Sequence, residues 1–253
     1  MALPGGLAVT TLFGGAMLLI GGLVLAVSGR YIWRATAVLR ATELETLDDV
    51  PANTLVRVTG AITAGEEGTL VAPFSDIDCV VLRYQIEERR LSVLYLLPWY
   101  VTVHEATAAV PFTVRTGAGT VEVVEPVRTV ALTSQVVETT AATDEPPAQI
   151  DTFERDHDEI PTSTRWQDPP ALLAPLARLL SLGTRRYSEQ RAPIDADVTV
   201  VGRVTADGTG LDPLVVSDRS PTATVGRMAK TSIAGVLIGV CGLLLGVGLL
   251  VLL

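Results

Sequence analysis

The chain has 253 residues, a formal charge of −9 and a pI near 4.7, with 48% hydrophobic and 19% charged residues. All charges lie between Arg30 and Lys230, which leaves two uncharged ends long enough to cross a bilayer and excludes a soluble cytosolic enzyme. The acidic balance argues against nucleic acid as a partner, because phosphate binding needs a basic field.

The first 29 residues carry no charge, and within them residues 7–27 (LAVTTLFGGAMLLIGGLVLAV) predict a transmembrane helix. A cleaved signal peptide would need a positively charged leader, which is missing. Gly15, Gly22 and Gly29 form a heptad series along this helix. Residues 33–49 predict a helix leaving the membrane and ended by Pro51. Short runs at 55–62, 79–88, 100–106, 111–115, 120–124 and 198–204 carry the alternation of strands, with glycine turns at 65–68 and 117–119. Residues 139–170, rich in Thr, Asp, Glu and Pro, predict a solvated connection with at most one short helix. Residues 170–180 (PALLAPLARLL) predict a later helix with proline near its start.

Residues 232–253 predict the second span. Gly235, Gly239, Gly242 and Gly246 fall on one face of it, at i, i+4, i+7 and i+11. Such small-residue stripes predict close helix packing, either between the two helices of one chain or in a homo-oligomer. Arg30, Arg34 and Arg40 follow the first span, and Arg219, Arg227 and Lys230 precede the second. The positive-inside rule then predicts a cytoplasmic domain over 31–230 with both termini outside. Lys230 is the sole lysine in an acidic, arginine-rich chain, a composition expected of a halophilic host or of a high-GC genome.

Reactive groups are few. With Cys79, Cys241, His104 and His157 as the only cysteines and histidines, no disulfide framework or zinc site is expected, and no spacing suggests a cofactor or other metal. Cys79, ahead of Val80-Val81-Leu82, reads as a small core residue rather than a nucleophile served by His104. Asp156, Asp158 and Glu159 around His157 read as a solvated charge run. The run LSVLYLLPWY (91–100) is too short to span a bilayer. It reads as a buried strand pair or, alternatively, as an interfacial loop in which Tyr95, Trp99 and Tyr100 sit among headgroups while Arg89 and Arg90 meet phosphates.

An internal echo relates 51–76 to 193–218 at an offset of 142 positions, with Val56/Val198, Val58/Val200, Gly60/Gly202, Gly68/Gly210 and Asp76/Asp218 coinciding. It predicts two copies of one β-unit closing a small sheet or barrel around a shared core, unless similar hairpins merely look alike.

A set of motifs carries a family resemblance. A V-x-V-x-G strand ends at Gly60, an APFSD turn leads to Cys79, and Pro111-Phe112 precedes a turn at Gly117. Tyr187-x-Glu189 and a second V-x-V-x-G strand ending at Gly202 follow. With a membrane helix at each end, this layout resembles the GIDE domain, also called BAM for "beside a membrane", of two-span mitochondrial RING-type E3 ubiquitin ligases. The resemblance implies a strand-rich α+β domain between two transmembrane helices. Those ligases carry a zinc-binding RING after the second helix, whereas this chain reaches Leu253 within that helix and has too few thiolates and imidazoles for one. The expected role is therefore a non-catalytic binding or scaffolding module at the membrane face, with lipid or another membrane or cytoplasmic protein as partner. The alternative is E3 ubiquitin transfer with a RING supplied by a separate protein.

Overall fold

The computed structural model describes residues 4–92, 97–124, 127–161 and 163–251. In chain order the elements begin with α1 (Pro4–Arg40), β1 (Thr42–Glu43), β2 (Leu55–Ala64), β3 (Leu70–Val71), β4 (Asp78–Leu91) and β5 (Pro98–Ala109). There follow β6 (Phe112–Arg115), β7 (Thr120–Val123), β8 (Val130–Ala131), β9 (Gln135–Thr140), α2 (Ala148–Asp156) and α3 (Ala174–Leu179). The last are β10 (Arg185–Pro193), β11 (Asp197–Val204), β12 (Gly210–Ser217) and α4 (Pro221–Val251). Two long apolar helices thus flank a strand-rich α+β domain. They form one compact unit, and Glu43–Asp218 forms the other.

In the helical unit, Thr10–Arg30 and Ile233–Val251 are long and apolar enough to cross a membrane. The glycines explain how the helices meet. A Cβ on Gly21 would lie 2.9 Å from the Gly239 carbonyl oxygen, and one on Gly246 would lie 2.9 Å from the Gly14 carbonyl oxygen. Gly242 meets the Gly21 Cα, and Gly235 meets the Ser28 hydroxyl. Backbones this close exclude side chains, so the stripe of α4 faces α1 within one chain. The opposing series on α1 is Gly14, Gly21 and Ser28. Gly15, Gly22 and Gly29 have nothing within 4 Å of a Cβ, so the heptad series expected from sequence lies one residue out of register.

The helix expected at 33–49 is a continuation of α1 that stops at Arg40. Beyond it the chain is drawn into the sheet. Leu44 N–H donates to the Arg57 carbonyl at 3.0 Å, Arg57 pairs with Glu43 at 2.7 Å, and Leu44, Leu47 and Val50 pack on the core.

The domain has two sheets. In the first, β2 pairs antiparallel with β11 on one side and with β6 on the other; β6 pairs with β7, β7 runs parallel to β12, and β12 pairs back with β11. The ring closes. Taken in chain order the five strands are arranged 1-2-3-5-4-1, a Greek-key barrel of the OB type with a single parallel pair. Val56, Val58, Ile62, Phe112, Val114, Val121, Val123, Val198, Val200, Val204, Leu211 and Val216 fill it, the inward half of each alternating strand.

The echo holds for the two V-x-V-x-G strands and fails beyond them. Val58 pairs with Val200, Gly60 with Val198 and Val56 with Gly202, so β2 and β11 meet about a local two-fold axis. Each glycine admits a crossing backbone. A Cβ would lie 2.1 Å from the Arg115 carbonyl oxygen at Gly60 and 2.4 Å from that of Asp212 at Gly202. After β11 the chain returns as β12 in the same barrel; after β2 it passes to β3, which pairs with β4 in the second sheet.

That second sheet, in the order β3-β4-β10-β9 with β5 on the free part of β4, arises from two excursions out of the barrel, one between β2 and β6 and one between β7 and β11. The alternation in the sequence does not mark β9 and β10.

Candidate functional site

One face of the second sheet is covered by pieces of its own chain. The β4–β10 register sets Tyr84 opposite Glu189, Ile86 opposite Tyr187 and Glu88 opposite Arg185, and residues directly opposite in an antiparallel pair share a face. Onto it pack the 72–76 turn, α2 and the segment after it. Phe74, Ile86, Ile150, Ile160 and Tyr187 form a buried cluster with Tyr84, Val137 and Phe153 at its margin. In the largely exposed 139–170 segment the short helix α2 is present, and Ile150 on it and Ile160 after it are buried against this face.

Three carboxylates hold the cover, each tied to a different piece. Glu189, fully buried, accepts from the Phe74 N–H at 2.7 Å, the Ser75 hydroxyl at 2.5 Å and Arg191 at 2.9 Å. Glu154 of α2 accepts from the Arg185 Nη1 on both carboxylate oxygens at 2.7 Å and from the Tyr187 hydroxyl at 2.9 Å. Glu88, also fully buried, accepts from Arg90 at 2.9 Å and from the Thr164 hydroxyl. Burying a carboxylate is costly unless charge and hydrogen bonds satisfy it, and here each one is satisfied. Burial first, then the nearby Glu154 charge, raises the Tyr187 phenol above its ordinary range.

The cysteine and histidine pairing considered from sequence is not assembled. Cys79 pairs with Leu70 and Pro193 at one end of β4, packed with Ala72 and Leu82, while His104 pairs with Ile86. Desolvation, then the Glu189 charge, pushes the Cys79 thiol up to about 11, so it stays protonated at neutral pH. His104 instead meets His157, with ring centroids 6.1 Å apart, alongside Tyr84 and Phe153. No grouping of three or more His, Cys, Asp or Glu suited to a metal occurs among the described residues.

The other motif residues are framework. Gly60 and Gly202 admit crossing strands; Phe112 fills the barrel; the Pro111 carbonyl lies 2.4 Å from a Cβ position at Gly65. Gly117 lies in the β6–β7 turn, which is pinned by the Thr116 hydroxyl donating to the Glu45 carbonyl at 2.6 Å. Tyr187 and Glu189 belong to the covered face.

One end of the second sheet is unlike the rest of the surface. The 91–100 run is the hairpin joining β4 to β5, with Arg90 opposite Trp99 and Leu91 opposite Pro98. Where it is described the run is not a buried strand pair, since Leu97 is 66% and Trp99 57% exposed. Tyr100 carries Arg186 over its ring at 4.2 Å. Arg90 is committed to Glu88, and Arg89 extends the β4–β10 ladder through backbone bonds with Gly183 and Thr184, both 2.8 Å. Tyr95 lies outside the described residues. Through Gly183 the same end connects to α3 and the turn before it, where Leu172 is 92% and Leu179 79% exposed and Leu173 and Leu176 are exposed too. The 170–180 prediction resolves into turns followed by this six-residue helix, with Ala177 buried. Beside it lies a hollow of about 500 Å³ lined by Trp166, Gln167, Asp168, Ala177, Arg178 and Leu182.

The sequence alone could not join hairpin and helix, because the link is the pairing of Arg89 with 183–184. Comparison of the chain with family models, curated proteins and solved structures gives no match.

Proposed function

We propose that the chain is a two-span membrane protein that presents a non-catalytic binding module, the Glu43–Asp218 domain, at the cytoplasmic membrane face with both termini outside. The observation that carries this reading is the exposed apolar end of the second sheet, where the hairpin, α3 and the turn before it together offer Leu97, Trp99, Leu172, Leu173, Leu176 and Leu179. Apolar side chains gathered in this way mark interaction sites on folded proteins. The carboxylates of the covered face support a structural role for that face, because their acceptor capacity goes to holding the fold. The layout of a strand-rich domain between two apolar helices supports the resemblance to GIDE-type domains.

The anchoring part is tested by alkaline extraction of membranes and by protease digestion of spheroplasts and inverted vesicles. The reading expects retention in the pellet and cleavage within 43–218 in inverted vesicles alone. Release by alkali, or cleavage from outside, overturns it. The binding part is tested by photo-crosslinking from position 99 in native membranes, with adducts expected there and lost on substitution of the apolar end.

A further inference from the structure

We infer that the surface bound by this apolar end is an anionic lipid bilayer, with the 172–179 segment and Leu97–Tyr100 entering the headgroup layer. The inference rests on the reading of that end as a binding site. It is carried by two independent distributions, one of apolar and one of charged side chains.

Of the large apolar side chains exposed on the domain, six occur in these two segments; the other three, Val71, Ile77 and Val136, are scattered. The six include a tryptophan next to a tyrosine, residues whose amphipathic rings favour the headgroup layer, and four leucines within 172–179.

The arginines sort the same way. Ten of the domain's arginines are committed: Arg57, Arg83, Arg90, Arg115, Arg128, Arg155, Arg185, Arg186 and Arg191 each face a carboxylate, and Arg203 donates to the Asn53 carbonyl. Arg89, Arg165 and Arg178 have no side-chain hydrogen bond or ion pair among the described residues, and all three lie at the apolar end. Arg89 bonds through its backbone to 183–184, Arg165 stands between Thr164 and the Trp166 that backs Gly183, and Arg178 is on α3. An acidic protein therefore keeps its uncommitted positive charge beside its exposed apolar surface. Apolar insertion plus arginine on lipid phosphate is how an interfacial helix binds an anionic membrane. Asp168 is the opposing carboxylate in the adjoining hollow. Gln167, which also lines the hollow, has a buried Oε1 without a hydrogen-bond partner among the described residues.

The test uses the full chain with Cys241→Ala, carrying Leu179→Cys or, separately, Leu172→Cys as a nitroxide site. It is reconstituted in vesicles of phosphatidylcholine with and without phosphatidylglycerol. Both positions are exposed, so labelling leaves the fold in place, and Cys79 is shielded by burial. Power saturation with oxygen against a water-soluble nickel chelate reads immersion. Immersion of both labels is expected with phosphatidylglycerol and should weaken in high salt. Arg178→Gln is expected to lower the docked-to-free ratio about fivefold, from the interaction of one basic residue with an anionic surface. Labels that stay aqueous in both lipids overturn the inference, as does immersion indifferent to phosphatidylglycerol and to Arg178. Shielding in native membranes alone would assign the surface to a protein partner and overturn it equally. A chain released by alkali fails at the earlier step, which separates that failure from this one.

Discussion

The backbone N–H of Phe74 donates to Glu189 at 2.7 Å across 115 residues of sequence, while the Phe74 ring meets Tyr187 edge-on at 5.4 Å. One residue of the 72–76 turn is thus held by two residues of β10, through a charge-assisted hydrogen bond and an aromatic contact. The turn therefore belongs to the second sheet's core as firmly as a strand would.

Glu189→Gln removes the charge that three donors share in a fully buried position. We expect a loss of about 2–4 kcal/mol in unfolding free energy, since breaking a buried pair strands its partner. Glu105→Gln, at the exposed pair with Arg83, is expected to cost about 1 kcal/mol or less. Denaturant unfolding of the two variants in the same detergent checks the contrast. Equal losses would show that burial does not set the energy of these pairs.

The barrel glycines predict a second contrast. Gly60→Ala and Gly202→Ala each drive a Cβ into the backbone of a crossing strand, so either is expected to cost about 3 kcal/mol or more or to prevent folding. Gly117→Ala, where the nearest atom is an exposed glutamate oxygen at 3.4 Å, is expected to fold normally. Circular dichroism and thermal scans separate the outcomes.

For the helix pair, Gly21→Ile should splay α1 from α4 and lower thermal stability in detergent, whereas Gly22→Ile, one residue away on an open face, should leave it unchanged. The same loss at both positions would place the packing face elsewhere.

Alkali should weaken the domain. The Cys79 thiol is raised from 9.0 to about 11, so the stability that its neutral form contributes is complete below pH 9 and is lost as pH rises through about 11. Tyr187, raised for the same desolvation reason, acts in the same direction at higher pH. Unfolding curves across pH 8 to 11 should fall for the parent and fall less for Cys79→Ala, by roughly 2 kcal/mol at the alkaline end.

Alternating apolar residues announced the barrel strands, and uncharged length announced the terminal helices. Part of what stayed hidden has one cause: charged residues that fold inward. Arg185 and Glu189 have the composition of solvent-facing chain, and only their bonds to Glu154 of α2 and to Phe74, Ser75 and Arg191 make them core residues. The seating of α2 on the second sheet was hidden for that reason. The helix register was hidden for another. Gly14 and Gly15, like Gly21 and Gly22, are adjacent, so a heptad count finds two series and only the partner helix selects one. The end of α1 at Arg40 depends on β2 capturing Leu44, a contact no local propensity records.

The two-fold pairing of Val58 with Val200 also bears on how the protein is made. The first barrel strand leaves the ribosome some 140 residues before β11, one of the two strands that pair with it. Until β11 and β12 are synthesised, the apolar interior of β2, β6 and β7 has no lid, and two strand edges lack their barrel partners. Closure and the emergence of α4 follow one another within a few residues, so the nascent domain stays unfinished for most of its synthesis. That interval is when chaperones or neighbouring chains have access to it.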